Sequence, residues 1–251
     1  MKIAMMQPTF LPWQGMFELI LNADRFIFLD DFQYCSRSHH TRNRLFVAKE
    51  TVGFYGVNIN NPKTQEIALN QVTLQSNGKW KNDLLKRMQF VYSKTPYFFK
   101  YYPRIESWLL EDSTSLAELN INGVKTLCSI LNIEKDFLYS SDFTKEIGNP
   151  SVRTQRIVDL LEWSKADLYV SANGSFEYMH ADNYDYIKHP VLFQNYEPAN
   201  YKQKHSREFV PYLSVLDALY NIGADATYDI IKNGTKKWLS FEEMLKLRNK
   251  T

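Results

Sequence analysis

The first thirty-one residues constrain the fold more than any other part of the chain. Lys2-Ile-Ala-Met-Met6 is a short apolar run closed by the proline loop Gln7 to Pro12, and it reads as a buried strand. Trp13 to Asn22 carries apolar residues at 13, 16, 17, 19, 20 and 21, the spacing of an amphipathic helix. Arg25-Phe-Ile-Phe-Leu29 is a second apolar run, ending in Asp30-Asp31. Strand, helix and strand in so short a span form a βαβ unit, and such crossovers make parallel sheets. Ligands of open parallel sheets bind beyond the carboxyl ends of the strands. Gln7 to Pro12 and Asp30-Asp31 are therefore expected on one rim.

The remaining chain continues this reading. Short β-like pieces are expected at Leu45–Val47 and Thr51–Ile59, with a turn at Asn60-Asn61-Pro62. Helices are expected over Trp80–Tyr92 and over Tyr97–Leu110, the second dented by Pro103. A third runs from Leu116 to Leu131, capped by Ser113 or Ser115 and ended by Asn132, and a fourth runs from Ser151 to Trp163 after Asn149-Pro150. Asp167–Val170 and Val191–Phe193 read as strands, and Ser214–Ile222 as a helix stopped by Gly223. At 251 residues, with no repeats or low-complexity linkers, the expectation is one α/β domain spanning residues 1–251. Its fold is expected to be Rossmann-like, with a mostly parallel sheet and a helical middle region.

Composition excludes several function classes. Thirty Lys and Arg against 28 Asp and Glu leave a net charge of +2, which gives no electrostatic case for nucleic acid as a partner. No window approaches the roughly 18 uncharged apolar residues of a membrane span. Cys35 and Cys128 fit no zinc spacing, so no metal and no disulfide are expected, and the chain reads as cytoplasmic. His39-His40 lacks a nearby third ligand. The 16 Tyr, 16 Phe and 5 Trp either fill a core or stack flat ligands, and the stretch from Tyr178 to His189 fits both uses.

Three constellations carry candidate chemistry. The loop Gln7 to Gly15 runs straight into a helix, where free N–H groups receive anions. Its position is similar to that of the H-x-G-H loop of nucleotidyltransferases, but the four residues here are Trp13-Gln-Gly-Met16, without either histidine. Asp30-Asp31 supplies a general base or a metal ligand, or else a capping or turn aspartate. Adjacent strand residues point to opposite faces, so at most one would face a given site. Arg37 to Arg44 holds three arginines and two histidines with no acidic residue, which suits phosphate or carboxylate.

Residues along nearly the whole chain resemble the WbqC-like proteins. The match begins with Lys2 to Pro12 and continues through Leu29-Asp-Asp-Phe-Gln-Tyr34 and Arg37 to Arg44. Gly78-Lys-Trp80, Tyr92 to Phe98, Asp167 to Ser171, Tyr201-Lys-Gln203 and Phe209 to Leu219 complete it. His39, Thr41, Leu84 and Ala172 depart from residues frequent in that family. The resemblance implies an enzyme of surface-polysaccharide biosynthesis, of the O-antigen type. Its reaction would be N-acyl or N-aminoacyl transfer to the amine of a nucleotide-linked amino deoxysugar. No tightly bound cofactor is implied; the donor would be an acyl or aminoacyl thioester, with an acyl-carrier protein as a partner. In this reading Asp31 or Asp217 is the base, and Gln7, Asn43 and Ser214 are donors to the oxyanion. Arg42 and Arg44 hold a diphosphate or phosphopantetheine, and Gln33, Ser171 and Gln203 join the binding set. The same pocket also suits a non-catalytic nucleotide-sugar-binding module, or a degenerate nucleotidyltransferase-like enzyme.

Overall fold

The computed structural model describes residues 1–60, 66–76, 78–148 and 150–249. The strands are β1 (Lys2–Met6), β2 (Arg25–Phe28), β3 (Arg42–Ala48), β4 (Thr51–Gly56), β5 (Asp136–Tyr139), β6 (Leu168–Ala172), β7 (Val191–Gln194) and β8 (Leu239–Ser240). The helices are α1 (Gln14–Asn22), α2 (Lys79–Tyr92), α3 (Phe98–Leu110), α4 (Leu116–Ile130), α5 (Ser140–Ile147), α6 (Arg153–Trp163), α7 (Phe176–Ala181), α8 (Val215–Lys232) and α9 (Phe241–Arg248). Six strands form one sheet in the order β5-β2-β1-β6-β7-β8, parallel except for β8. The α/β, mostly parallel, Rossmann-like fold expected from the first βαβ unit is the fold observed.

Strand alternation divides the core into two faces. Ala4, Phe26, Phe28 and Val170 pack with α1, α8 and the middle helices, while Ile3, Met5, Ile27 and Tyr169 pack with α6, α7 and α9. Apolar residues at consecutive strand positions are what a sheet buried on both faces requires. The helical middle is an insertion: β2 and β5 pair directly, Arg25 opposite Asp136, although α2, α3, α4 and the antiparallel hairpin β3–β4 lie between them in sequence. Asn120 on α4 ties the insertion back to the sheet, donating to the carbonyls of Pro8 at 3.1 Å and His40 at 2.9 Å.

Several boundaries differ from the sequence reading. The strand expected to reach Ile59 ends at Gly56, and the turn at Asn60 lies outside the described residues from position 61 onward, as does Asn149 before α6. Gly223 does not stop α8. It bends the helix at φ 82° and ψ 174°, a conformation essentially confined to glycine, and a Cβ there would lie 2.9 Å from the Tyr97 ring. The groups released by the bend find partners: the Tyr101 hydroxyl accepts from the Ala224 amide at 3.0 Å, and the Tyr97 amide donates to the Tyr220 carbonyl at 3.0 Å. In the aromatic stretch, Tyr186 stacks on Phe241 of α9 at 4.6 Å and Tyr184 on the same ring at 6.1 Å. These two tyrosines pack the second face of the core. Among the described residues no helix is long and apolar enough to cross a membrane.

Candidate functional site

From β1 the chain crosses to β2 on one side, while β6 lies on the other, so the strand order reverses between β1 and β6. In open parallel sheets this reversal opens the ligand crevice at the carboxyl ends. Gln7 leaves β1 at this point, and its amide donates to the Gln33 carbonyl at 2.9 Å, closing the rim between the β1 and β2 ends. Ser171 sits buried at the end of β6, with its hydroxyl engaged by Tyr169 at 2.9 Å and Ser175 at 2.6 Å.

Asp30 and Asp31 follow β2, which ends at Phe28, so the strand alternation no longer separates them. Both accept from the Ser140 hydroxyl at the start of α5, and Asp30 also accepts the Ser141 amide at 3.0 Å. A carboxylate at a helix N-terminus meets free amide donors and the positive end of the helix dipole. Asp31 further accepts from the Thr144 hydroxyl at 2.6 Å and pairs with Arg156 at 2.6 Å, with side-chain exposures of 10% for Asp31 and 12% for Arg156. The Arg156 guanidinium lies over the Phe32 ring at 4.5 Å. Beside them a cleft of about 250 Å³ is lined by Asp30, Asn70, Glu118, Asn122, Lys125 and Tyr139.

A second group gathers at the start of α8. Ser214 caps the helix, its own amide donates to the Arg44 carbonyl at 2.9 Å, and the Val215 amide donates to the Pro12 carbonyl at 2.9 Å. Asp217 is wholly buried, with its carboxylate receiving the Tyr92 hydroxyl at 2.9 Å, the Tyr201 hydroxyl at 2.8 Å and the Gln203 amide at 2.9 Å. Burial raises the Asp217 pKa, and the three donors oppose that rise. Gln203 is itself locked by a reciprocal pair with the Val210 backbone, at 2.8 and 3.0 Å. Asn43 bridges toward the loop, donating to the Phe10 carbonyl at 3.4 Å.

The structure thus sorts the sequence-derived residues into two groups. Gln7, Asp31 and Gln33 lie at the sheet rim with Ser171 beneath. Asn43, Arg44, Gln203, Ser214 and Asp217 lie around the start of α8, and the loop Gln7–Pro12 joins the two. Arg42 turns aside, its guanidinium over Phe54 at 4.4 Å and donating to the Arg37 carbonyl at 3.1 Å. In the same segment, burial and then the neighbouring His39 lower His40 to about 4, which leaves it uncharged near neutral pH. Arg156 and Ser140 were not singled out from sequence, and Tyr92 and Tyr201 entered only within the family-like motifs, although these four occupy every carboxylate oxygen of Asp31 and Asp217. Nothing near these residues in sequence signals pairings that span 16 to 125 positions, from Tyr201–Asp217 to Tyr92–Asp217.

The joining loop is strained. Leu11 is fully buried at φ 46° and Tyr212, across the Trp13–Ser214 bridge, sits at φ 58°. Left-handed backbone at bulky residues costs about 1–3 kcal/mol each and gathers at functional sites. The glycine of the H-x-G-H-like position has a packing reason here. Gly15 lies beneath the Trp13 indole, where a Cβ would come within 2.2 Å, and Trp13 in turn meets Tyr196 edge-on at 5.2 Å. Among the described residues no group of three or more His, Cys, Asp or Glu is placed to hold a metal ion. Cys35 and Cys128 are free thiols, and burial pushes Cys128 up to about 12.

The sheet order and the loop at its reversal define a Rossmann-like α/β protein with an inserted helical layer. The model of the WbqC-like protein family matches residues 7–229, and the chain belongs to that family. It is also 30% identical over 234 residues to a protein of Mycobacterium tuberculosis (strain ATCC 25618 / H37Rv), the uncharacterized protein Rv1507c, covering 90% of this chain and 95% of that one. No solved structure matches the chain significantly.

Proposed function

We propose that this protein forms an amide on the amine of a nucleotide-linked amino deoxysugar during synthesis of a surface polysaccharide, with an acyl or aminoacyl thioester as donor. The observation that carries the reading is the Gln7–Gln33 contact at the reversal between β1 and β6, in a chain of the WbqC-like family. Neutral amide groups there suit sugar hydroxyls, and the carboxylates of Asp30 and Asp31 suit an ammonium group arriving at the same rim. In this reading Asp31 takes the ammonium proton, the amine attacks the thioester carbonyl, and the C–S bond breaks as the sulfur leaves with the second amine proton as a free thiol; Gln7, Gln33 and Ser171 shape the sugar subsite. Arg44 binds the diphosphate, and Asn43 holds the loop beside it through the Phe10 carbonyl. Asp217 acts through position, fixing Gln203 and the start of α8 that carries Ser214.

One observation favours a second reading, a nucleotide-sugar-binding module without catalysis. Both carboxylates that would serve as bases are already occupied, Asp31 by Arg156 and Asp217 by two tyrosines. The two readings separate in one experiment: the protein is incubated with a nucleotide-linked 4-amino deoxysugar and acetyl or glycyl thioesters, and products are followed by mass spectrometry. The acyltransferase reading expects an amide product, lost by about 100-fold or more in Asp31→Asn with the fold intact, the low end for removing a general base. Saturable binding of the sugar nucleotide with no product establishes the binding module instead. Neither binding nor product contradicts both.

A further inference from the structure

Beside the Asp217 network, two cavities adjoin at Lys94. The larger, about 840 Å³, lies between α2 and the start of α3 and is mainly apolar, with Phe90, Val91 and Phe99 in its wall. Phe90 is 85% exposed and Phe99 is 70% exposed, an unusual state for two neighbouring phenylalanines on consecutive helices. The smaller cavity, about 180 Å³, is lined by Lys94, Pro96, Lys202, Lys204 and Asn221. Lys49 and Lys86 stand on the rim of the larger one, and no acidic residue lines either among the described residues. None of these five ammonium groups has an ion-pair partner among the described residues. The nearby carboxylate of Glu50 is already taken, by the Ser206 hydroxyl at 2.8 Å and the Arg207 amide at 3.0 Å.

Three lysines around a small cavity are a concentration of positive charge that an anion with more than one charge relieves best. An apolar cleft with exposed aromatic rings gains from any nonpolar group that covers it. Because Lys94 belongs to both cavities, a single ligand can satisfy both when it carries a phosphate at one end and a flexible apolar arm at the other. His205 closes the inner wall between Phe46 and Tyr92, with ring centroids 5.8 and 5.4 Å away, and burial lowers its pKa, so the floor of the cleft favours the uncharged ring. Its Nε2 is buried without a partner among the described residues.

We propose that this double cavity binds an amphiphilic phosphate ester, its phosphate on Lys94, Lys202 and Lys204 and its apolar arm across Phe90 and Phe99. The occupant that fits this chemistry is a prenyl phosphate, whose arm carries no polar group. The proposal stands apart from the reading of the sheet rim, since no residue of one site lines the other.

The test is calorimetric titration of the full chain with farnesyl diphosphate, coenzyme A and inorganic pyrophosphate. Farnesyl diphosphate is expected to bind about tenfold or more tightly than pyrophosphate and more tightly than coenzyme A, whose arm is polar. Lys94→Glu is expected to weaken that ester by about tenfold or more, and Lys202→Glu by a similar factor. Phe90→Ser is expected to weaken the ester while leaving pyrophosphate unchanged. All three side chains are exposed, so thermal melts of the variants should match the parent. The proposal is overturned if farnesyl diphosphate binds no better than pyrophosphate or coenzyme A, or if the charge reversals leave its affinity unchanged. Binding of an ester that Gln7→Ala abolishes and Lys94→Glu spares would assign it to the sheet rim and likewise overturn the double cavity.

Discussion

Asp217→Ala is expected to destabilise the protein by about 4 kcal/mol, because it strands the Tyr92 and Tyr201 hydroxyls and the Gln203 amide in a site with no water access. For a chain of this size that loss lowers the melting temperature by roughly 8–16 °C. Asp217→Asn should cost less, since one acceptor oxygen survives and the buried charge is gone. The pH dependence separates the two effects. A carboxyl whose pKa is raised on folding binds its proton more tightly in the folded state, so stability falls as the pH rises from the ordinary carboxylate value through the raised one. Asp217→Asn should remove that slope. Tyr201→Phe in the Asp217→Ala background should add less than it does alone, since both changes break one network. A melting temperature for Asp217→Ala within about 1 °C of the parent would contradict the network account.

Arg156→Ala carries the next largest effect. It leaves the Asp31 carboxylate, only 10% exposed, with hydroxyl partners and no cation. Breaking one side of a nearly buried ion pair costs about 3 kcal/mol, so denaturant midpoints should shift to lower concentration with the slope unchanged. The double variant Arg156→Ala with Asp31→Asn should recover part of that loss, because no unpaired charge then remains. Failure of the second change to restore any stability would show that Arg156 acts through its packing on Phe32 instead.

The sequence was most legible where periodicity and punctuation coincide. The βαβ opening, Lys2 to Leu29, has a continuous apolar run on either side of a helical period, and the proline loop marks the joint. β5 left no comparable trace: Asp136–Tyr139 is a four-residue edge strand with a partly exposed pattern, recognisable only from its pairing with β2. Gly223 carries the ordinary sign of a helix end, and it becomes a bend only because hydroxyl and backbone groups of α3 and its approach, Tyr101 and Tyr97, serve the released groups. Gln7 and Asp31 were legible as rim residues by position in a parallel sheet, whereas Gln33 entered only with the family resemblance. The partners that occupy Asp31 and Asp217 were not, since Arg156, Tyr92 and Tyr201 reach them through tertiary packing that no local pattern encodes. Asp217 was singled out within a helix start, and the structure adds that the same carboxylate pins α2 and the segment 201–210 to α8.

The claim at the centre of this account is that the reversal between β1 and β6 receives the sugar nucleotide. Crystals soaked with a nucleotide-linked 4-amino deoxysugar test it most directly. The account predicts sugar density at Gln7 and Gln33, with the amine within about 3.2 Å of Asp31, the reach of a hydrogen bond. Ordered ligand at any other place on the molecule, with the rim empty at saturating concentration, would contradict it.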